Sequence, residues 1–434
     1  MKHRIVVLGA GYAGVVTAGR LAKRLHRDDV EITLVNGDPD FVERVRMHQL
    51  ASGQDLPSRP LRELFAGTGV RVRTAFVTSV DADRKTVHLE GEGGRGTLAP
   101  HSTLPHGALT HEARGHDTLA YDTLVYALGS TVADHGVPGV TEYAHHLAGK
   151  QAALRLRARL GELAPGANVL VVGGGLTSIE AATEIAEAHP ELKVSLAARG
   201  GVGDWLSDKA QRHLRTALDR FGITVHERTD ITRVEADRAV TGAGGEIAAQ
   251  VTVWTAGFTV HPIAAASTLE VSETGRIVVD STLRSVSHPD VYAVGDAAHA
   301  IGAGGQPLRM ACATANPMAW LAADALAARL TGRKVPDAPV GYVAQCISLG
   351  RRDAIFQRVT HEDRMTSFVV TGRAGALIKE FIVAGTVWGL SHPTNMFPSL
   401  RHRVVASAEP ANARPASPEP AGTGAAEVPV AATR

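Results

Sequence analysis

Cysteine is nearly absent from this chain of 434 residues: Cys312 and Cys346 are the only two. A disulfide framework is therefore excluded, and neither residue falls in a CxxC or CxxxxC redox pair. A reduced, cytoplasmic setting is the plain expectation. An excess of one charge is also lacking. Lys plus Arg number 45 against 44 Asp plus Glu, a formal net charge of +1. With no basic stripe interleaved with aromatics, nucleic acid is not an expected partner. No run of 18 apolar residues occurs, so no transmembrane span is expected. The start, MKHR followed by IVVLGAGYAGVVTAG, has the outline of a signal peptide, but its glycines would weaken a signal helix and fit a strand-turn-helix instead. HExxH, GxSxG and clustered Cys/His ligands are all missing, so neither a metal nor a nucleophile is expected.

What is present is organised twice over. The apolar fraction is 44% and the charged fraction 21%, the balance of a soluble globular protein, and the length predicts two or three domains. Residues 4–8 read as a buried parallel strand and 31–35 as the next. Between them, residues 12–27 carry helical periodicity, with Val15, Ala18, Leu21, Ala22 and Leu25 on one face. This βαβ unit recurs at 168–198, as strand NVLVV, turn GGGLTS, helix IEAATEIAEAH and strand KVSLA. Residues 91–118, rich in Gly, His and Thr, read as a surface insertion between strands of a small sheet. The five-residue spacing of His101, His106, His111 and His116 aligns them on neither a helix nor a strand, which favours a solvated loop over a metal site. The Pro-, Ala- and Glu-rich stretch 405–434 reads as a disordered tail.

Each βαβ unit opens its helix with a dinucleotide fingerprint. In GAGYAG, Gly9 permits the tight turn, Gly11 lets a pyrophosphate approach the backbone, and Gly14 lets helix and strand pack closely. The acid that normally follows about 20 residues on, to bind a ribose, is replaced by Asn36, with Asp38 nearby. In GGGLTS, Gly173 and Gly175 match and Ser178 replaces the third glycine. After the next strand the acid is missing again: the run is Ala197, Ala198, Arg199. An absent acid beside an arginine leans toward a 2′-phosphate and NADPH, with an exposed loop arginine as the alternative.

A third motif, HPDVYAVGDAA at 288–298, resembles the segment that closes the flavin domain of the two-dinucleotide-binding-domain flavoproteins, the pyridine nucleotide oxidoreductases. YDTLVYALGS (121–130) and VTVWTAGF (251–258) are similar to that family's strand-turns entering and leaving its nucleotide domain. The resemblance covers roughly residues 4–390. It implies an α/β fold of two Rossmann-like dinucleotide-binding domains, an FAD domain (1–150 and 262–340) interrupted by an inserted NAD(P) domain (151–261), with a small C-terminal region (341–404). FAD falls to the first fingerprint, with Ala10, Tyr12 and Ala13 lining its turn, and NAD(P)H to the second. Asp296, after Gly295, would hold the ribityl chain. Gly129 and Gly257 would lie at the cofactor cleft, and Arg44, Val77 and Ala313 are further cofactor neighbours. Arg44, Arg46 and His48 alternate in RVRMH, which also suits a solvent-facing edge of an extended segment.

The disulfide reductases of this family need a cysteine pair beside the flavin, which this chain lacks. Cys312 and Cys346 also fit poorly the separated cysteines of sulfide–quinone reductases. The segment from Arg309 through GYVAQCISLGRRDAIFQ looks like the type II NADH dehydrogenase branch, which passes electrons from NADH to quinone. Glu180 matches its glutamate beside the nicotinamide and is the candidate catalytic residue; a surface acid in the first helical turn is the alternative. The A-Q-x-A-x-Q pattern of those quinone reductases reads here Ala311-Cys312-Ala313-Thr314-Ala315-Asn316, so both glutamines are gone. The acceptor stays open between a quinone and another small aromatic, as does a non-enzymatic flavin-binding role. Residues 374–390 present a broad apolar face interrupted by Lys379 and Glu380, open to core packing, a homodimer partner or peripheral contact with the inner face of a membrane.

Overall fold

Two parallel sheets carry the two fingerprints. In the first, the strand His3–Leu8 pairs in parallel with Val30–Asn36 on one side and Thr123–Tyr126 on the other. Val70–Asp81 and Val291–Ala293 extend the parallel part at either end. Thr86–Gly91 and Asp117–Ala120 then add antiparallel strands, completing seven. Ile5, Val7 and Leu8 are fully buried, as a strand covered on both faces requires. The computed structural model describes residues 1–91, 117–394 and 400–405. The histidines of the insertion and residues 406–434 of the tail lie outside that set; the strands flanking the insertion pair directly, Leu89 with Asp117.

The second sheet has five strands, all parallel, in the order Thr224–His226, Lys193–Ala197, Asn168–Val172, Val251–Trp254, Ala144–His145. The two connections between the sheets, Ser130–Val132 and Phe258–Val260, pair antiparallel with each other. A three-stranded antiparallel sheet, Ala344–Ser348, Ala354–Val359 and Met365–Thr371, follows near the carboxy end. Its Ile347, Leu349, Ile355 and Val369 share a core with helices of the second unit.

Helix Tyr12–Arg24 ends earlier than its periodicity predicts, because Leu25 turns extended and pairs with His402. Val15, Ala18, Leu21, Ala22 and Leu25 all lie in the first core. Burying each large side chain there contributes roughly 1.5–3 kcal/mol. The helix packs on Cys312–Leu330, whose Ala319, Ala322 and Ala323 let the backbones approach, and Arg20 clamps the pair through Asp324 at 2.7 Å. Residues 400–405 bind at the far end of this unit. His26 N–H donates to the His402 carbonyl, Val404 N–H to Asp29, and Val405 N–H to the Leu330 carbonyl.

Helix Gly372–Ser391 is, among the described residues, the one helix long and apolar enough by length and composition to cross a membrane. Sequence alone gave no expectation of such a span, because Lys379 and Glu380 break the apolar run. In the structure both turn toward the protein. Lys379 is buried against Glu180, and Glu380 accepts from Arg46 at 2.6 Å. Leu377 and Phe381 remain over 70% exposed, with Ile382 and Trp388 beside them.

Candidate active site

Three helices begin with open amino ends. Gly11, Gly175 and Ala311 occupy the cap positions of helices Tyr12–Arg24, Leu176–Ala188 and Cys312–Leu330, and none supplies a side-chain cap. Uncapped N–H groups and the positive helix end favour anions. The starts of Tyr12–Arg24 and Cys312–Leu330 lie close enough for their side chains to feel one another, and Glu180 of Leu176–Ala188 acts on Cys312. Burial first, then Cys312 and Glu43, push the Tyr12 hydroxyl above its ordinary range. Glu180, Lys379 and Asp296 all act on Cys312.

The first turn is shaped for close approach by a ligand. Gly9 has φ +92°, and a Cβ there would meet the Ala127 carbonyl oxygen. A Cβ on Gly14 would run into the Gly9 carbonyl. A Cβ on Gly11 would meet nothing within 4 Å. This is a cradle open at the residue where a pyrophosphate must come nearest, so the turn fits the diphosphate of FAD. Asn36 braces the turn: its Oδ1 accepts from the Ala10 amide at 2.9 Å, and its Nδ2 donates to the Asp38 carbonyl at 2.8 Å, which leaves one lone pair and one N–H for a ligand. Tyr12 and Ala13 are buried at the helix start, with the Tyr12 ring set edge-on to Phe41.

Across from this turn, three separated segments meet. Arg44 Nη1 donates to the Ser130 carbonyl at 2.9 Å, and Ser130 Oγ donates to Asp296 Oδ2 at 2.5 Å. A Cβ on Gly129 would sit 3.4 Å from Arg44 Nη1, and one on Gly295 3.2 Å from the Ala13 methyl. Arg44, Gly129, Gly295 and Asp296 are thus brought together beside the first turn. Val77 is half-buried on Val70–Asp81 opposite Leu89, packed against the first core. Sequence reasoning missed Ser130, although it closes the quoted YDTLVYALGS; nothing in a serine after glycine marks it.

The extended reading of RVRMH is overturned. Arg44–Arg46 is a 3₁₀ turn and Met47–Ala51 a helix, so the three side chains point three ways. Arg44 enters the site. Arg46 bridges Glu43 at 3.2 Å and Glu380. His48 is buried, its Nδ1 3.8 Å from Glu180, with Nε2 lacking a hydrogen-bond partner among the described residues. Burial drives its pKa down to about 4, against the opposing pull of Glu180.

Glu180 is not a surface acid. It ion-pairs with the buried Lys379 and accepts from the Ser348 amide at 3.1 Å, while Lys379 also donates to Ser348 Oγ at 2.6 Å. Burial raises the Glu180 pKa, but Lys379, His48 and the Ser348 amide outweigh it and hold the carboxyl below its ordinary value. The residues that complete this cluster, His48, Ser348 and Lys379, come from segments that no local motif connects.

The second turn repeats the first. Gly173 has φ +138°, and its built Cβ would lie 2.7 Å from the Thr255 carbonyl oxygen. Ser178 takes the third-glycine place and accepts from Thr255 Oγ1 at 2.9 Å. Gly175 faces open space. Arg199 is exposed and bonded to Asp230. Gly257 lies against His135, and Ala313 is exposed in the first turn of Cys312–Leu330. Cys312 is exposed there too; Cys346 is half-buried, its thiol pushed up to about 11 chiefly by burial.

Residues 3–325 match the family model described as pyridine nucleotide-disulphide oxidoreductase. An NADH dehydrogenase-like protein of Mycobacterium tuberculosis is 28% identical over 324 residues, covering 68% of this chain and 73% of that protein. A type II NADH:quinone oxidoreductase of Staphylococcus epidermidis is 26% identical over 385 residues, covering 82% of this chain and 89% of its own length. Among solved structures, NDH2 from Plasmodium falciparum in complex with NADH superposes with a TM-score of 0.72 at 13% identity, covering 92% of this chain and 99% of that one.

Proposed function

The chain belongs to the pyridine nucleotide-disulphide oxidoreductase family, and we propose that it oxidises a reduced nicotinamide nucleotide and delivers the electrons to a quinone or a similar small acceptor. The observation that carries this reading is the pair of glycine-opened, uncapped helix starts in one chain, with a third uncapped start at Cys312–Leu330. FAD, when bound, would supply the redox chemistry that links a two-electron nicotinamide donor to the acceptor.

The chain's own residues bind, orient and exclude water. Gly9, Gly11 and Gly14, with Ala10, Tyr12 and Ala13, would hold the FAD diphosphate; Asp296, set by Ser130 and Arg44, would take its ribityl hydroxyls. Gly173, Gly175 and Ser178 would hold the nicotinamide nucleotide. The positive start of Cys312–Leu330, open at Ala313, stabilises negative charge placed before it. Glu180 stays ionised in its buried cluster with Lys379 and Ser348, a fixed charge that acts on Cys312 at the start of the third helix.

The acceptor class rests on the relatives, several of which are named as quinone reductases. Cys312 and Asn316, standing where that branch carries glutamines, favour a small aromatic metabolite as acceptor in the second reading. The exposed Leu377 and Phe381 on a helix tethered by Lys379 and Glu380 support peripheral attachment to a membrane surface, where a quinone would be met. Anaerobic mixing of the purified protein with NADH and then NADPH, watched at the flavin band, tests the first half-reaction: rapid bleaching is expected, and a protein that stays yellow overturns the proposal. Reoxidation by a panel of quinones against non-quinone aromatics then decides the acceptor.

A further inference from the structure

The two fingerprint turns superpose residue by residue through their backbone hydrogen bonds. The Gly9 amide donates to the Val35 carbonyl at 2.8 Å, and the Gly173 amide donates to the Ala197 carbonyl at 2.8 Å. Val35 and Ala197 are therefore equivalent, and so are the residues that follow, Asn36 and Ala198. This is the position from which an acidic side chain binds the ribose hydroxyls in a dinucleotide fold that takes NADH. In the second turn it carries only a buried methyl, 3.3 Å from the place of a Cβ on Gly174. A ribose 2′-hydroxyl would find no side-chain acceptor there.

The next residue is Arg199, exposed on the rim. Its Nε donates to Asp230 Oδ1 at 3.0 Å, and neither terminal nitrogen has a partner among the described residues. The fork that binds a phosphate with two parallel hydrogen bonds is thus left free, while Asp230 fixes the plane of the guanidinium. Arg228 is a second cation on the same rim: its amide donates to the Gly200 carbonyl at 3.2 Å, and its side chain is exposed. Three acids stand nearby, each engaged. Asp204 accepts from the Gly201 amide at 2.9 Å, Glu227 accepts from the Val202 amide at 2.7 Å and from Arg215, and Asp230 holds Arg199. None occupies the Ala198 position.

Resting on the nicotinamide reading above, we infer that the second turn is built for a nucleotide bearing a 2′-phosphate, so that the reductant is NADPH, with Arg199 as the principal phosphate ligand and Arg228 as a second cation on the rim. The phosphate brings a charge that the Arg199 fork meets directly, and the absence of a carboxylate at Ala198 removes the repulsion that would exclude it.

The test is calorimetric titration of the flavin-loaded protein with NADP⁺ and with NAD⁺. NADP⁺ should bind at least ~10-fold more tightly, the scale of one charge-assisted phosphate contact. Arg199→Ala should cost NADP⁺ a factor of about ten and leave NAD⁺ within about twofold, and Ala198→Asp should invert the preference. Unchanged NAD⁺ affinity reports that Arg199→Ala, a surface change, is folded. Equal or tighter binding of NAD⁺ by the unaltered protein, or an Arg199→Ala variant with undiminished NADP⁺ affinity, overturns the inference while leaving the nicotinamide reading intact. Binding of neither nucleotide overturns both.

Discussion

Lys379 and Glu180 form a buried ion pair although they stand 199 residues apart in the chain. The pair fastens the helix with the exposed apolar face to the helix that opens the second nucleotide turn. Ser348, from the strand between them in sequence, satisfies both partners.

Removing one partner strands the other charge in a low-dielectric site. Lys379→Met should therefore lower stability by about 3–5 kcal/mol. The double variant Glu180→Gln/Lys379→Met should recover most of that loss, because neither charge is then left alone. Urea unfolding of the two variants beside the parent chain checks both expectations.

His48 makes stability depend on pH with a definite sign. Its folded pKa, about 4, lies below the ordinary 6.5, so between those values the unfolded chain holds a proton that the native chain refuses. Its contribution should be complete above pH 6.5 and decline as pH falls toward 4, by about 1.4 kcal/mol per pH unit for one proton. His48→Asn should flatten that part of the profile, measured by denaturant unfolding at successive pH values.

The first turn separates binding from folding. At Gly11 an added methyl meets nothing, so Gly11→Ala should keep its far-UV spectrum yet purify with a lower ratio of flavin to protein absorbance. At Gly14 the methyl would collide with the Gly9 carbonyl, and Gly14→Ala should lose solubility or melt far earlier. A Gly11→Ala protein with full flavin content would contradict the cradle described above.

Membrane attachment is testable apart from catalysis. Leu377→Ser/Phe381→Ser removes the two most exposed apolar side chains of helix Gly372–Ser391 without touching Lys379 or Glu380. Co-sedimentation with phospholipid vesicles should drop sharply, while bleaching by NAD(P)H should not change. If the parent chain ignores vesicles and instead elutes as a dimer that Leu377→Ser/Phe381→Ser breaks, the apolar face serves a second copy.

The parts of the site that were legible in the sequence are those encoded locally. A glycine turn needs φ values and clearances that only glycine supplies, so Gly9, Gly14 and Gly173 announce themselves within a dozen residues. The strand-turns ending in Gly129, Gly257 and Gly295 could be ordered by resemblance because each is also one contiguous segment. What stayed hidden is what distant segments build together. His48 reads from its neighbours as one more alternating polar residue, and only its helical turn carries it inward to Glu180. Lys379 reads as an interruption in an apolar helix, because its partner is remote in sequence. Asn36 has the right type for a ribose contact, but the brace it gives the Ala10 amide is invisible without coordinates.

The strap at 400–405 braces one edge of the first unit. It is held by His26, Asp29 and Leu330, where the parallel strands begin, whereas the glycine turns lie where those strands end. Substitutions at Val404 or Val405 should therefore loosen the first unit at the edge remote from its glycine turn. Flavin content should change little in such variants, since the brace and the Gly9 turn lie at opposite ends of the strand His3–Leu8.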